Sequence, residues 1–269
     1  MHDDDTGLYI LDGHTHITSP HPGSGRSMAD LLADMATASV AGAAVVTPGT
    51  AGWDNTLTFE SVESTPGPFA AIARVDLTAT NALAALESAI VSGARGIRIT
   101  MPRDQNMGWL VDGSIDAHCR VLDSKAIVVE FHSGPGDFKI VGAFARRYPG
   151  VTVLMDHLGR PNATAGVAGP EFQQFLRLSE YPSVYTKTAN SAFFSRQQAP
   201  YADLAPFLGA ALESFGARRI MWSSDWPLCR QGGPYASSLQ PTIDVLSSRP
   251  ANDRNMVLHG TFTSLLLDQ

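Results

Sequence analysis

Eight short runs of aliphatic and β-branched residues recur along the chain, most followed by a longer stretch with helical periodicity. In order they read LYILDGH, AAVVTPG, FAAIARVD, ARGIRIT, AIVVEFH, VTVLMDH, VYTKTA and RRIMWSSD. Short runs of this composition suit buried parallel strands. Between the first two, SMADLLADMATASV carries Met28, Leu31, Leu32 and Met35 at the i, i+3, i+4, i+7 spacing of an amphipathic helix. NALAALESAIVSG reads as a helix stopped by Gly93, and DFKIVGAFARRYPG as one closed by Pro149 and Gly150. Closing helices fall over residues 239–267. Eight strand–helix units in about 250 residues predict an α/β fold, the (β/α)8 TIM barrel. The alternative, a doubly wound open sheet, calls for a glycine-rich phosphate loop after strand one, and DGHTHITSPHPG holds no GxGxxG. No linker or low-complexity tract divides the chain, so residues 1–269 are expected to form one domain.

The charge balance narrows the partners. With 19 Lys and Arg against 26 Asp and Glu the formal charge is −7, without a basic cluster, which argues against nucleic acid and anionic membranes. No apolar run approaches the ~20 residues that cross a bilayer. The start, MHDDDTG, has neither the basic nor the apolar part of a signal peptide. Cys119 and Cys229 lie far apart without CxxC spacing and read as unpaired thiols of a reducing compartment. An acidic cytoplasmic enzyme is the expectation, and its oligomeric state is open.

In a TIM barrel the chemistry sits at the C-terminal ends of strands. Strand one ends in DGHTH, where alternation puts His14 and His16 on one face with Asp12 behind them. Two converging imidazoles are metal ligands or catalytic bases. Strand three ends near Arg74, strand four offers Arg98, strand five ends in His132, strand six in His157, strand seven carries Lys187 and strand eight ends in Asp225. Each alone suits a cap or a surface ion pair. Four of the eight histidines at strand ends, with an aspartate at the eighth, point to one site. His2, His21, His118 and His259 fall elsewhere and suggest no role.

HxH on strand one, histidines on strands five and six and an aspartate on strand eight together resemble the amidohydrolase superfamily. LMDHLGRP (Leu154–Pro161) and IMWSSDWP (Ile220–Pro227) are similar to the amidohydrolase-related (amidohydrolase 2) branch, which includes 2-pyrone-4,6-dicarboxylate lactonase and sugar lactonases. The resemblance implies a hydrolase, most simply a lactonase opening a carboxylated lactone by water attack on its carbonyl. It implies Asp225 as proton carrier, His157 as a hydrogen-bonding partner of the carbonyl, and His14, His16, His132 and Asp225 as ligands of one divalent cation, zinc for preference. Strand four lacks the lysine or glutamate that bridges two metals in binuclear members, so one ion is expected. The pyrone-dicarboxylate lactonase branch itself works without a metal and has no histidine on strand five, which leaves a metal-free lactonase open.

Arg98 and Arg160, with Arg74 and Lys187, are expected to bind a substrate carboxylate, and Trp226 to lie beside the ligand. A decarboxylase built on the same residues is the rival activity, and a non-catalytic binding barrel a more distant one. PHPGSG (Pro20–Gly25) and MPRDQNMG (Met101–Gly108) are read as loops on the catalytic face.

Overall fold

The computed structural model describes residues 8–101 and 107–268. His2 and most of the MPRDQNMG loop lie outside the described residues. Eight parallel strands follow one another around a single sheet in chain order, the expected barrel. They are β1 (Ile10–Thr15), β2 (Val40–Val46), β3 (Ala70–Ala73), β4 (Ala94–Thr100), β5 (Val128–His132), β6 (Val153–Met155), β7 (Val184–Lys187) and β8 (Ile220–Met221). The helices are α1 (Met28–Thr37), α2 (Thr56–Glu63), α3 (Ala82–Val91), α4 (Asp116–Ser124), α5 (Phe138–Arg147), α6 (Pro170–Leu176), α7 (Ser191–Phe194), α8 (Ala205–Phe215), α9 (Gln240–Leu246) and α10 (Ala251–Asn255).

Local chemistry accounts for several boundaries. Ser27 and Asp30 form a reciprocal capping box that starts α1. Pro170 and Pro241, which lack an N–H, stand in the first turns of α6 and α9, where that donor has no helical partner anyway. Helix α2 has no counterpart in the sequence reading. Its buried positions are Thr58 and Ser61, while Leu57, Phe59 and Val62 pack against the core only partly buried, so its apolar stripe is weak.

The eighth strand is only two residues long, and Asp225 lies in the segment beyond it. That segment closes the barrel: Gly13 N–H donates to Trp222 O (2.8 Å), Asp225 N–H to His14 O (3.0 Å) and His16 N–H to Trp226 O (2.7 Å). Gly13 permits the approach, because a Cβ there would lie 2.7 Å from Met221 Sδ and 2.9 Å from the Trp222 carbonyl.

The barrel interior is layered. Leu11, Val46, Ile72, Val128, Leu154 and Met221 form an apolar floor, sealed by Phe262, Leu265 and Leu266 from the end of the described chain. One layer up, four adjacent strands deliver charge: Arg98 from β4, Glu130 from β5, Asp156 just past β6 and Lys187 from β7, all buried. The catalytic end lies above this belt. The larger core, between the sheet and the helices, includes Leu31, Leu86, Phe144, Phe175 and Phe207.

Candidate active site

His14 and His16 do converge. Their Nε2 atoms are 3.0 Å apart, and Asp225 Oδ1 lies 3.7 Å from the first and 3.6 Å from the second. Asp12 does not share their face. Pairing between β1 and β2 is irregular from Asp12 to Thr15, and the Asp12 carboxylate instead accepts from Ser224 N–H (2.9 Å), His14 N–H (3.1 Å) and the Tyr235 hydroxyl (2.7 Å). It ties β1 to the closing segment.

The imidazoles are held neutral. Burial lowers His16 to about 3, with positive Arg98 adding to the effect, and lowers His157 to about 3. His14 is pushed well below 6.5 by burial and then by Lys187. His16 Nδ1–H donates to Val46 O (2.7 Å), so its Nε2 presents a lone pair to the cluster. His14 Nδ1 lies 3.3 Å from Asp156 Oδ1 and 3.4 Å from Glu130 Oε1, and neither oxygen has a hydrogen-bond partner among the described residues. With its proton on Nδ1, His14 serves both acceptors and also turns a lone pair to His16 and Asp225. The other tautomer accepts from Lys187 Nζ (2.9 Å) and sends an N–H towards His16.

Asp225 is raised to about 7, chiefly by burial, against the hydrogen bond from Asn190. Its Oδ1 is buried without a hydrogen-bond partner among the described residues. Ligands ~2.0–2.1 Å from a tetrahedral zinc stand about 3.3 Å from one another. The spacings here bracket that value, and an orphaned carboxylate oxygen facing two imidazole lone pairs is the donor set a divalent cation takes. His14, His16 and Asp225 therefore fit a metal ion. His132 does not join them. Its ring is 6.4 Å from that of His157, and it stands outside both groups of converging donor atoms.

His157 reaches Asp225 from an unusual backbone. His157, Leu158, Gly159 and Arg160 are four successive left-handed residues, with φ of 54°, 50°, 65° and 65°. Such a conformation costs non-glycine residues about 1–2 kcal/mol each. Here it drops His157 into the site, with Nε2 3.6 Å from Asp225 Oδ2 and Nδ1 unpartnered among the described residues, and swings Arg160 out to the rim.

The cations divide. Arg98 is 6% exposed and directs Nε and Nη2 to Asp156 Oδ2 (3.2 and 2.9 Å), with Glu130 Oε1 3.3 Å from Nε. Arg98 was expected to bind a substrate carboxylate, which would need a guanidinium free of internal partners. The belt supplies two. Lys187 Nζ is fully buried against Glu130 and lies 3.3 Å from Asp156. Within this cluster burial and the neighbouring Asp156 carboxylate push Glu130 up; for Asp156 burial acts upward, but Lys187, His14 and Arg98 together hold it well below its ordinary value. Arg74 donates to Thr100 Oγ1 and Gly52 O and stacks on Trp53, lining a separate groove between α2 and α3. Trp226 is fully buried and its indole N–H donates to Asp34 on α1, so it packs in the wall away from the cluster.

Only Arg160 of these opens on the cavity of about 790 Å³ at the barrel mouth, where Arg196, Phe193 and Phe194 also line the wall. Phe194 reaches the centre, its ring 5.9 Å from that of His157. The sequence reading missed Glu130, Asp156, Asn190 and Arg196. Glu130 was within reach of it, two residues before His132 on the same inward face of VVEFH.

A family model for amidohydrolases matches residues 18–261. The chain belongs to the amidohydrolase family. It is 28% identical over 184 residues to a 4-sulfomuconolactone hydrolase of Hydrogenophaga intermedia, a match covering 68% of this chain and 59% of that one. It is 28% identical over 170 residues to an L-fucono-1,5-lactonase of Burkholderia ambifaria, covering 62% and 58%. The chain thus spans about three fifths of the length of these two relatives. Among solved amidohydrolase-like folds, a probable 2-pyrone-4,6-dicarboxylic acid hydrolase from Acinetobacter baumannii superposes with a TM-score of 0.81 at 18% identity, over 96% of this chain and 99% of that one. An amidohydrolase from Burkholderia multivorans with bound zinc gives 0.78 at 18% identity, over 96% and 98%. Among the described residues of this amidohydrolase, no helix is long and apolar enough to cross a membrane.

Proposed function

We propose that this amidohydrolase acts as one barrel domain that opens a small lactone carrying an acidic group. The observation that carries the reading is Asp225. One carboxylate oxygen faces two neutral imidazoles and the other faces His157, so a base and a hydrogen-bond donor flank one point at the barrel mouth. The 28% identity to two lactone hydrolases supports the same reaction class.

His14, His16 and Asp225 would hold the cation, for which we favour a single zinc. A zinc is bound in the Burkholderia multivorans amidohydrolase of the same fold. When bound, such an ion supplies Lewis acidity and lowers the pKa of a nearby water. Asp225 then accepts the proton of the attacking water and returns it to the ring oxygen as the ester bond breaks. His157, neutral and fixed by its left-handed turn, donates a hydrogen bond to the oxygen on which charge develops. Arg160, with Arg196 across the cavity, presents planar donors suited to a carboxylate or sulfonate. We place the work in the cytoplasm, in keeping with two buried free thiols, Cys119 and Cys229.

A metal-free lactonase is the second reading, favoured by the separation of His132 from the cluster and by Lys187 Nζ at 2.9 Å from His14 Nδ1. In that state His14 keeps its proton on Nε2. Ring-opening assays on carboxylated and neutral lactones, with and without chelator, test both readings. Carbon dioxide release from an aromatic or enol acid without any lactone opening would replace them with a decarboxylase.

A further inference from the structure

Between β7 and the segment after β8, the pairing continues past the strands through side chains. Thr188 N–H donates to Met221 O (2.9 Å), Ser223 N–H to Thr188 Oγ1 (2.9 Å) and Ser223 Oγ–H to Thr188 O (2.9 Å). Thr188 is thereby locked opposite Ser223. Two residues further along each segment stand Asn190 and Asp225, brought side by side by that register.

Asn190 is 1% exposed, and both ends of its amide are used. Nδ2–H donates to Asp225 Oδ2 (2.8 Å), while Oδ1 accepts from Phe193 N–H (3.2 Å) and so caps α7. Only one orientation of the amide satisfies a carboxylate on one side and a backbone N–H on the other. Among the described residues this is the sole hydrogen bond to the Asp225 carboxylate. By occupying Oδ2 it leaves Oδ1 turned to His14 and His16. Without it both oxygens would be buried unpartnered, a state that rotation of the carboxylate relieves.

We propose that Asn190 is a positioning residue that fixes the Asp225 carboxylate, and that the same amide couples this orientation to the α7 turn carrying Phe193 and Phe194 at the cavity. The proposal rests on the reading of Asp225 as ligand and base, and its test separates the two. Asn190→Ser keeps a side chain that caps α7 but is too short to reach Asp225. Asn190→Asp keeps the shape and the cap but sets a second carboxylate where the donor was.

Both variants should fold, with thermal midpoints lowered by several degrees at most. Metal-free crystal structures should show Asp225 Oδ1 turned away from His14 and His16, with α7 in place. Zinc affinity, measured by competition with a chromophoric chelator, should fall about 10–100-fold, the usual effect of losing a partner behind a ligand. An unmoved Asp225 carboxylate in both variants, with zinc affinity within about twofold of wild type, overturns the proposal. If the wild-type protein takes up no zinc, the metal reading fails by itself, and the carboxylate position in the crystals still decides the role of Asn190.

Discussion

His157 and Asp225 meet from two left-handed backbones, at φ of 54° and 61°, with Nε2 and Oδ2 3.6 Å apart. Neither residue type prefers that conformation, so each is held there by its surroundings. His157 lies in a run of four such residues, and Asp225 in the segment hydrogen-bonded to β1. Strain concentrated on the two residues assigned to proton transfer and carbonyl recognition is what a preorganised site requires. Asp225→Asn keeps the shape and removes the base. We expect turnover to fall about 100-fold or more while ligand binding persists. Near wild-type turnover in steady-state assays on the lactone would end the assignment.

Metal content follows from the donor set. One equivalent of zinc is expected per chain, and zinc at about 100 times its Kd should raise unfolding stability by about 2.7 kcal/mol. His14→Ala and His16→Ala should abolish that gain, whereas His132→Ala should keep it, because His132 stands outside the cluster. Calorimetric unfolding with and without zinc measures all three, and equal loss in all of them would restore His132 as a ligand.

The two arginines of the sequence reading should now behave differently. Arg160→Ala removes a rim cation and should raise KM for an acidic lactone about 10-fold, with little change in stability. Arg98→Ala leaves Asp156 and Glu130 short of a partner in the barrel interior, where breaking a buried pair costs roughly 3–5 kcal/mol. Urea unfolding and steady-state kinetics on the same two proteins separate the effects. A stable Arg98→Ala protein with a raised KM would return that residue to the substrate.

Acidity should act on the fold through His132, which burial and then Arg98 lower from 6.5 to about 4. The unfolded chain takes up its proton near pH 6.5, and the folded one only near pH 4. Stability is therefore intact above pH 6.5 and falls as pH drops towards 4, by at most about 1.4 kcal/mol per pH unit for this group. Compared with His132→Gln, which cannot titrate, the wild type should lose ground across that window in urea titrations. A difference that does not change with pH would show His132 to be as solvated folded as unfolded.

The barrel was legible in the sequence because its strands are aliphatic runs and most of its helices carry an apolar stripe. Helix α2 escaped because its buried positions are Thr58 and Ser61 and its apolar stripe is weak. The histidines and Asp225 could be placed by strand ends, yet their directions could not. The irregular pairing of β1 turned Asp12 away, and the left-handed turn after β6 set where His157 and Arg160 point. Arg98 misled for a different reason. Its partners, Glu130 and Asp156, come from neighbouring strands, and pairing across strands is not written in either motif.

The closure of the barrel has a consequence for how the protein is made. Asp12 holds Ser224 across a separation of 212 residues, and His14 and His16 meet Asp225 through the same seam. While the ribosome is still delivering the middle of the chain, the two imidazoles have emerged and their carboxylate has not. Until residue 225 is made, the nascent polypeptide has the two imidazoles of His14 and His16 but lacks the carboxylate that stands beside them. If the cluster takes an ion as proposed, loading must follow the synthesis of residue 225, and an ion captured earlier by the exposed HxH pair would be held by two ligands alone.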